Sequence, residues 1–380
     1  MHSLSIARRG IAGIAIVASV ALALSACAAT PTPTTTGSAP KVDAAKATSL
    51  SAFGTMADLE AAAKAEGALN VIALPHDWAN YGAIIAQFQK TYPEITINEA
   101  NPDGSSADEI QAAKTNAGLD TAPDVFDLGL TVALQSTDQF AAYKVAKWDD
   151  VPENLKESSG LYTGDYGGFM SIGYDSSKYP APTSLDDLLG AKYKGAVAIN
   201  GDPTQAGSAF AAVGLATVLN GGTLDDFTPG IEYFKKLKAA GNFLKVDPTT
   251  ATITSGETPV VFDWDYLNAS VTASKPSWKV TVLPGTGYAG YYNQAINVAA
   301  PHPAAARLWE EFLYSDQGQN LWLAGGARPA RMVAMTNAGT VDAALAAKLP
   351  AAPEKSVVPT GAQSDAAGKL LGTKWAAAIQ

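Results

Sequence analysis

The apolar positions of residues 56–129 switch between a helical and an extended period. Met56 to Glu66 is Ala-rich with amphipathic helical spacing, and Leu69 to Leu74 is a short apolar run that reads as a strand. Tyr81 to Tyr92 sets Ile84, Ile85 and Phe88 on one helical stripe. Ile95 to Ala100 is extended after Pro93, Ser106 to Asn116 returns to helix, and Asp124 to Leu128 is again a strand. This βαβαβ order predicts a parallel sheet with helices on both faces. Gly168 to Tyr174 reads as a further strand, and Pro180 and Pro182 then break the chain. A second series follows, with strand Ala196 to Asn200, helices Gly207 to Leu219 and Pro229 to Ala240, and strand Pro259 to Trp264. Strands Lys279 to Leu283 and Ala295 to Ala299 and helix Pro303 to Leu313 make a third stretch. Two α/β series joined by extended crossings predict two doubly wound α/β lobes with a cleft between them. The expected boundaries are 52–167 with 272–330 for the first lobe, 168–271 for the second, and 331–380 for a helical tail assigned to neither.

One stretch departs from a plain strand. Residues 260–268, VVFDWDYLN, place Phe262, Trp264 and Tyr266 on one face of an ideal strand and Asp263 and Asp265 on the other. An amphipathic strand with its acids in water explains the pattern, and so does a strand end that delivers acids and rings to a ligand.

Arg8 and Arg9 precede the apolar stretch Ile11 to Leu24, which is too short to span a bilayer as a helix and has the order of a secretory signal over residues 1–26. Leu24-Ser25-Ala26-Cys27 resembles the lipobox of bacterial lipoproteins, in which the cysteine is lipidated and becomes the mature N-terminus. The resemblance implies attachment through Cys27 at the outer face of the bacterial cytoplasmic membrane. Residues 27–51, rich in Ala, Thr, Pro and Ser, read as a flexible tether. The 26 basic residues fall to 24 once Arg8 and Arg9 leave with the leader, against 36 acidic ones, a net charge of −12. Such a surface repels nucleic acid. A single cysteine and three histidines provide no disulfide and no Cys/His metal cluster. Phosphate loop, nucleophile elbow and zinc helix are all missing, so no cofactor, metal or catalytic residue is expected.

Three blocks carry a family resemblance. GALNVIALPHDWANYGAIIAQFQKTYPEI, GFMSIGYDSSKYPAPTSLDDLLGAKYKGAVAI and YYNQAINVAAPHPAAARLWEEFLYSDQGQ are similar, in this order, to blocks of the extracellular solute-binding proteins of ABC importers. The resemblance runs from about Gly67 to Arg331 and is nearest to the polyamine, iron(III), thiamine and phosphonate binders. It implies the type 2 periplasmic-binding-protein fold, two lobes hinged by two strands, in a monomer that takes a small-molecule solute and delivers it to ABC permease subunits.

In open parallel sheets, ligands bind beyond the carboxyl ends of strands. The loops expected there hold Asp77, Trp78 and Tyr81 beside His76, then Asp127, then Asp202, Thr204 and Gln205, then Trp264, Asp265 and Tyr266, and last Tyr292 and Gln294 beside Tyr291. Carboxylates and ring faces together suit an ammonium group, each cation–π contact giving about 0.5–2 kcal/mol, whereas an anion calls for Arg, Lys or bare N–H groups. The resemblance to polyamine binders, whose sites use Trp and Asp at comparable strand ends, implies such roles for Trp78, Asp202, Trp264 and Asp265. Asp265 and Trp264 are thus expected to meet a cationic amine, with Asp263 in solvent. Competing readings remain open. Asp77 and Asp202 also suit helix caps, and Trp264 suits the core. Tyr291-Tyr292 resembles the adjacent tyrosines of iron(III) binders, Thr204 and Ser208 suit a phosphonate, and thiamine and sugars stand as further solutes. From another class, Asp263 and Asp265, about 6.6 Å apart at strand rise, match the carboxyl spacing of a secreted glycoside hydrolase.

Overall fold

The computed structural model describes residues 42–350 and 352–379. The leader, Cys27 and the tether up to residue 41 lie outside them. The last part of the expected tether is not a tether: 3₁₀ turns at Ala44–Lys46 and Leu50–Ala52 pack on the body, and Ala47 is 3% exposed. Arg307 draws this stretch in, its guanidinium donating to Ala45 O at 3.0 Å and Ala47 O at 2.7 Å.

The first lobe is built from α1 (Met56–Glu66), β1 (Ala68–Ile72), α2 (Tyr81–Thr91), β2 (Thr96–Ala100), α3 (Ser106–Thr115), β3 (Val125–Gly129), α4 (Leu130–Gln135) and β4 (Phe140–Ala141). A reciprocal capping box between Thr55 and Asp58 starts α1, and Gly67 stops it at a left-handed φ of +75°. β1 and β2 pair in parallel, as their alternation with helices requires. Beside β1, the Asp124 N–H donates to Asn70 O at 2.9 Å and its carboxylate accepts from Asn70 N at 2.6 Å, which leads the chain into β3.

β5 (Thr163–Asp175) is the long crossing strand. Its first half pairs antiparallel with β9 (Thr286–Asn297), and its second half pairs with β7 (Val260–Trp264) and β8 (Trp278–Thr281). β6 (Val197–Ile199) lies parallel to β7, and β3 runs antiparallel to β9. This nine-stranded sheet is therefore mixed and curled, β1 and β2 form a separate parallel pair in the first lobe, and β5 and β9 carry the chain between lobes. Glycine lets the crossing strands close on each other. A Cβ on Gly167 would stand 2.1 Å from Gly290 O, and one on Gly290 would stand 2.5 Å from the Trp264 ring. β8 belongs to the second lobe, so that lobe runs past the expected boundary at residue 271.

The second lobe also holds α5 (Gly207–Leu219), α6 (Thr228–Ala239), α7 (Thr250–Ser255) and α8 (Asp265–Ser270). α5 is apolar all round because it is buried on every side from Ser208 to Thr217, against α6 and the sheet. α9 (Pro303–Leu313) and α10 (Asp316–Ala324) return to the first lobe, where α9 packs on α1 and α10 on α2. The expected helical tail is more than helix. β10 (Arg328–Pro329) pairs with β5, and α11 (Met332–Ala338) and α12 (Ala343–Ala346) follow. β11 (Lys355–Val357) pairs in parallel with β9, and α13 (Gly361–Ile379) packs on both α4 and α6.

Candidate functional site

Between the lobes lies a cavity of about 460 Å³. The first lobe supplies its wall from the loop after β1 (Pro75, Asp77, Trp78), the start of α3 (Asp103 to Glu109) and Asp127 of β3. The second supplies Asn200 to Asp202 and Gln205 to Ser208 at the start of α5, Asp247 to Thr250 leading into α7, and Asp263 of β7. Tyr292, on the crossing strand β9, joins the two walls. These segments are strand ends and helix starts, the positions at which open α/β sheets present backbone and side-chain groups.

Of the residues expected from the sequence, Asp77, Trp78, Asp127, Asp202, Gln205 and Tyr292 line this cavity. Trp78 packs edge-on to Tyr292 at 5.5 Å, and its indole N–H donates to the Tyr166 hydroxyl at 2.8 Å. Tyr166 in turn donates to Asp127 Oδ2 at 2.7 Å and stacks on Tyr292 at 5.6 Å. Tyr81 and Gln294 sit behind Asp127: the Gln294 amide donates to the Tyr81 hydroxyl at 2.9 Å and to Asp127 Oδ1 at 3.3 Å. Asp202 closes a turn, its Oδ1 accepting from the N–H and hydroxyl of Thr204, which holds Thr204 outside the cavity wall. Asp77 accepts from the Thr250 hydroxyl at 2.7 Å, a hydrogen bond from one lobe to the other across the cleft mouth.

Trp264, Asp265 and Tyr266 do not reach the cavity, and neither of the two neighbouring acids sits where the sequence places it. The strand ends at Trp264 and α8 begins at Asp265, so the alternation that set both acids on one face stops between them. Asp265 turns back onto β5, accepting from Phe169 N at 3.0 Å and Tyr266 N at 3.1 Å and pairing with Arg328 at 2.7 Å. It is fully buried. Asp263, expected in solvent, lines the cleft at 6% exposure, accepting from Ser208 Oγ, from Asn200 Nδ2 at 2.8 Å and from Trp264 N at 2.8 Å. Trp264 instead lines a second cavity of about 320 Å³ on the other side of the crossing strands, with Tyr288, Tyr291 and Phe210. Tyr291 and Tyr292 share that cavity, and only Tyr292 also faces the cleft.

The cleft contains charge of one sign. Among the described residues its charged lining is Asp77, Asp103, Asp108, Glu109, Asp127, Asp202, Asp247 and Asp263, with no Lys, Arg or His. Burial pushes Asp127 up to about 7, against hydrogen bonds from Tyr166 and Tyr81 that pull it down, and pushes Asp263 up to about 6. Glu109 is 1% exposed and accepts from Asp127 N at 2.8 Å; burial and then the neighbouring Asp127 charge hold it well above the usual carboxylate range. The start of α5 carries no side-chain cap, which alone would favour an anion, but its Ser208 already donates to Asp263. Among the described residues no group of three or more His, Cys, Asp or Glu side chains is placed to hold a metal ion.

A family model for bacterial extracellular solute-binding proteins matches residues 121–352. Among solved structures, an ABC transporter substrate-binding protein from Bradyrhizobium japonicum USDA 110 is similar with a TM-score of 0.64 at 17% identity, over 83% of this chain and 100% of that one. The periplasmic binding protein AfuA from Actinobacillus pleuropneumoniae, with fructose-6-phosphate bound, has a TM-score of 0.67 at 17% identity over 82% and 98% of the two chains. Iron-bound HitA from Pseudomonas aeruginosa has a TM-score of 0.60 at 17% identity over 80% and 97%. A search of curated proteins by sequence finds no match. Two α/β lobes, crossing strands and an interlobe cleft agree with the family model that spans both: the chain belongs to the bacterial extracellular solute-binding protein family.

Proposed function

We propose that this protein is the substrate-binding component of an ABC importer, capturing a small, polyamine-like cationic solute in the interlobe cleft and presenting it to the membrane permease from a lipid anchor at Cys27. The observation that carries the ligand class is a lining of eight carboxylates without a basic residue among the described residues. An ammonium group gains charge-assisted hydrogen bonds from such a wall and cation–π contact from Trp78 and Tyr292, whereas sulfate or a sugar phosphate meets only repulsion. The structural neighbour with fructose-6-phosphate bound thus shares the fold without setting the chemistry here. Iron(III) is disfavoured because Tyr291 is directed away from the cleft. The hydrolase alternative loses its carboxyl pair, since Asp265 is sealed behind Arg328.

Transport requires no covalent step. A solute touching both walls stabilises the closed arrangement by its differential contacts, and the Asp77–Thr250 hydrogen bond closes the mouth over it. A thermal-shift screen of the protein from residue 28 onward against putrescine, spermidine, thiamine, ferric citrate, 2-aminoethylphosphonate, sulfate and a sugar panel tests the reading. A tight ligand stabilises the folded state by about 2.7 kcal/mol at a hundredfold excess over Kd. Shifts with the polyamines are expected; a shift with sulfate or a sugar alone refutes the cationic assignment.

A further inference from the structure

Three cleft carboxylates are almost fully withdrawn from water: Glu109 of α3 at 1% exposure, Asp127 of β3 at 5% and Asp263 of β7 at 6%. None of the three belongs to an ion pair among the described residues. Glu109 faces Asp127 and Asp108, and its hydrogen bond comes from a backbone N–H. Asp127 is held by Tyr166, Tyr81 and Gln294, with Asp165 of β5 behind it, where the Gln294 amide bridges to Asp165 at 2.9 Å, and Glu310 of α9 beyond. Asp263 meets Ser208 of α5, Asn200 and its own neighbour's N–H, with Tyr266 and Tyr292 nearby. The Tyr292 hydroxyl is surrounded by all three, its ionisation opposed by burial first and then by the charges of Asp127, Asp263 and Glu109. Among the described residues, every group facing these acids is neutral or acidic.

A buried carboxylate without a cation costs several kcal/mol to ionise, so it holds its proton to a higher pH than an exposed one and gives it up when a counter-charge arrives. Burial, net of the hydrogen bonds that oppose it, raises Asp127 to about 7 and Asp263 to about 6, inside the physiological window. Resting on the cationic reading above, we propose that Glu109, Asp127 and Asp263 read the charge of the solute, and that a solute with two separated ammonium groups enters in exchange for protons held on these acids. One ammonium takes its place against Glu109 and Asp127 in the first lobe, the other against Asp263 in the second. At each position the carboxyl O–H breaks, its proton passes to the buffer, and an ammonium N–H donates to the carboxylate oxygen it leaves. Glu109 and Asp263 thereby join Asp127 as specificity-determining residues, and only a ligand that supplies charge to both lobes discharges both.

Calorimetric titration of putrescine, with butylamine as the single-charge control, in phosphate and in MES below about pH 7 and in phosphate and in HEPES above it tests this. The buffer dependence of the heat counts protons released. With two acids near 6 and 7 the affinity for putrescine is expected to rise roughly a hundredfold from pH 5.5 to 7.5, with more than one proton released at pH 6. Asp263→Asn is expected to remove part of that release. In parallel, ¹³C carboxyl NMR of the protein without solute is expected to show Asp127 and Asp263 titrating above pH 5.5, assigned by Asp127→Asn and Asp263→Asn. Putrescine binding with no proton release and a flat pH profile overturns the exchange while leaving cation capture intact. Butylamine binding as tightly as putrescine overturns the two-ammonium requirement. A cleft that binds neither amine at any pH overturns this inference together with the cationic reading.

Discussion

Asp263→Asn separates a ligand contact from a structural acid more sharply than any other single change. The carboxylate sits at the cleft with three donors, Ser208 Oγ, Asn200 Nδ2 and Trp264 N, and no cation. Its rise from 3.8 to about 6 corresponds, at 1.36 kcal/mol per unit, to roughly 3 kcal/mol opposing the ionised form in the folded protein. The proton is held more tightly folded than unfolded, so this penalty is absent below the ordinary carboxylate range, grows as pH rises from about 4 to 6, and is complete above about 6. Asparagine keeps the shape and accepts from Ser208 and Trp264 through Oδ1, and rotation of the Asn200 amide meets its new NH₂. The empty variant is therefore expected to exceed wild type in urea denaturation by about 1 kcal/mol at pH 4.5 and by up to roughly 3 kcal/mol at pH 8. The same change removes a charge-assisted hydrogen bond to an ammonium ligand, about 1.5–3 kcal/mol, so spermidine affinity at pH 8 is expected to fall roughly ten- to a hundredfold. A variant that loses stability at pH 8, or that binds spermidine as tightly as wild type, refutes the placement of Asp263 in the binding wall.

Three further outcomes follow from the same geometry. Thr250→Val deletes the donor to Asp77 across the cleft mouth; a loss of about 0.5–1.5 kcal/mol in the closed state is expected, read by stopped-flow as faster spermidine release with the association rate nearly unchanged. Arg328→Met strands the buried Asp265 carboxylate and is expected to cost about 3–5 kcal/mol in denaturant unfolding, while the folded variant retains wild-type spermidine affinity because Asp265 lies outside the cleft. Gly207→Ala adds a Cβ 3.1 Å from Gly129 Cα and 3.3 Å from the Tyr292 hydroxyl, where the lobes meet; affinity is expected to fall severalfold by calorimetry with the melting temperature of the empty protein preserved, since alanine favours the start of α5.

Much of the architecture is legible along the chain, and what escapes has identifiable physical causes. The stripe of Ile84, Ile85 and Phe88 marks α2, and the unbroken apolar run of α5 marks a helix buried on all sides. The length of β5 is hidden by Gly167 and Gly168, which resemble a break but serve a close approach to β9 and to the Asp265 and Tyr266 side chains. The turn into α8 is hidden because its N-cap is Trp264, with no side-chain cap bond, so VVFDW passes into helix without a Ser, Thr, Asn or Asp at the boundary. That missing signal is why neither Asp263 nor Asp265 takes the place expected of it: Asp263 lines the cleft and Asp265 is buried against Arg328. Glu109 was within reach of sequence reasoning: the rule that directs attention to Asp77, Asp127 and Asp202 applies equally to the loop after β2. There the capping box of Ser105 and Asp108 presents the acids as helix-start chemistry and masks the one beside them. Tyr166, which links Trp78 to Asp127, has no sequence signal, since its role depends on where the crossing strand meets the first lobe.

The most direct measurement is a crystal structure of the protein grown with spermidine at pH 8. The account predicts spermidine between the lobes, with ammonium nitrogens at about 2.7–3.0 Å from the carboxylates of Asp127 and Glu109 on one side and Asp263 on the other, and its chain against Trp78 and Tyr292. Spermidine in the Trp264 cavity, or a cleft that takes sulfate and rejects spermidine from the same crystals, contradicts it.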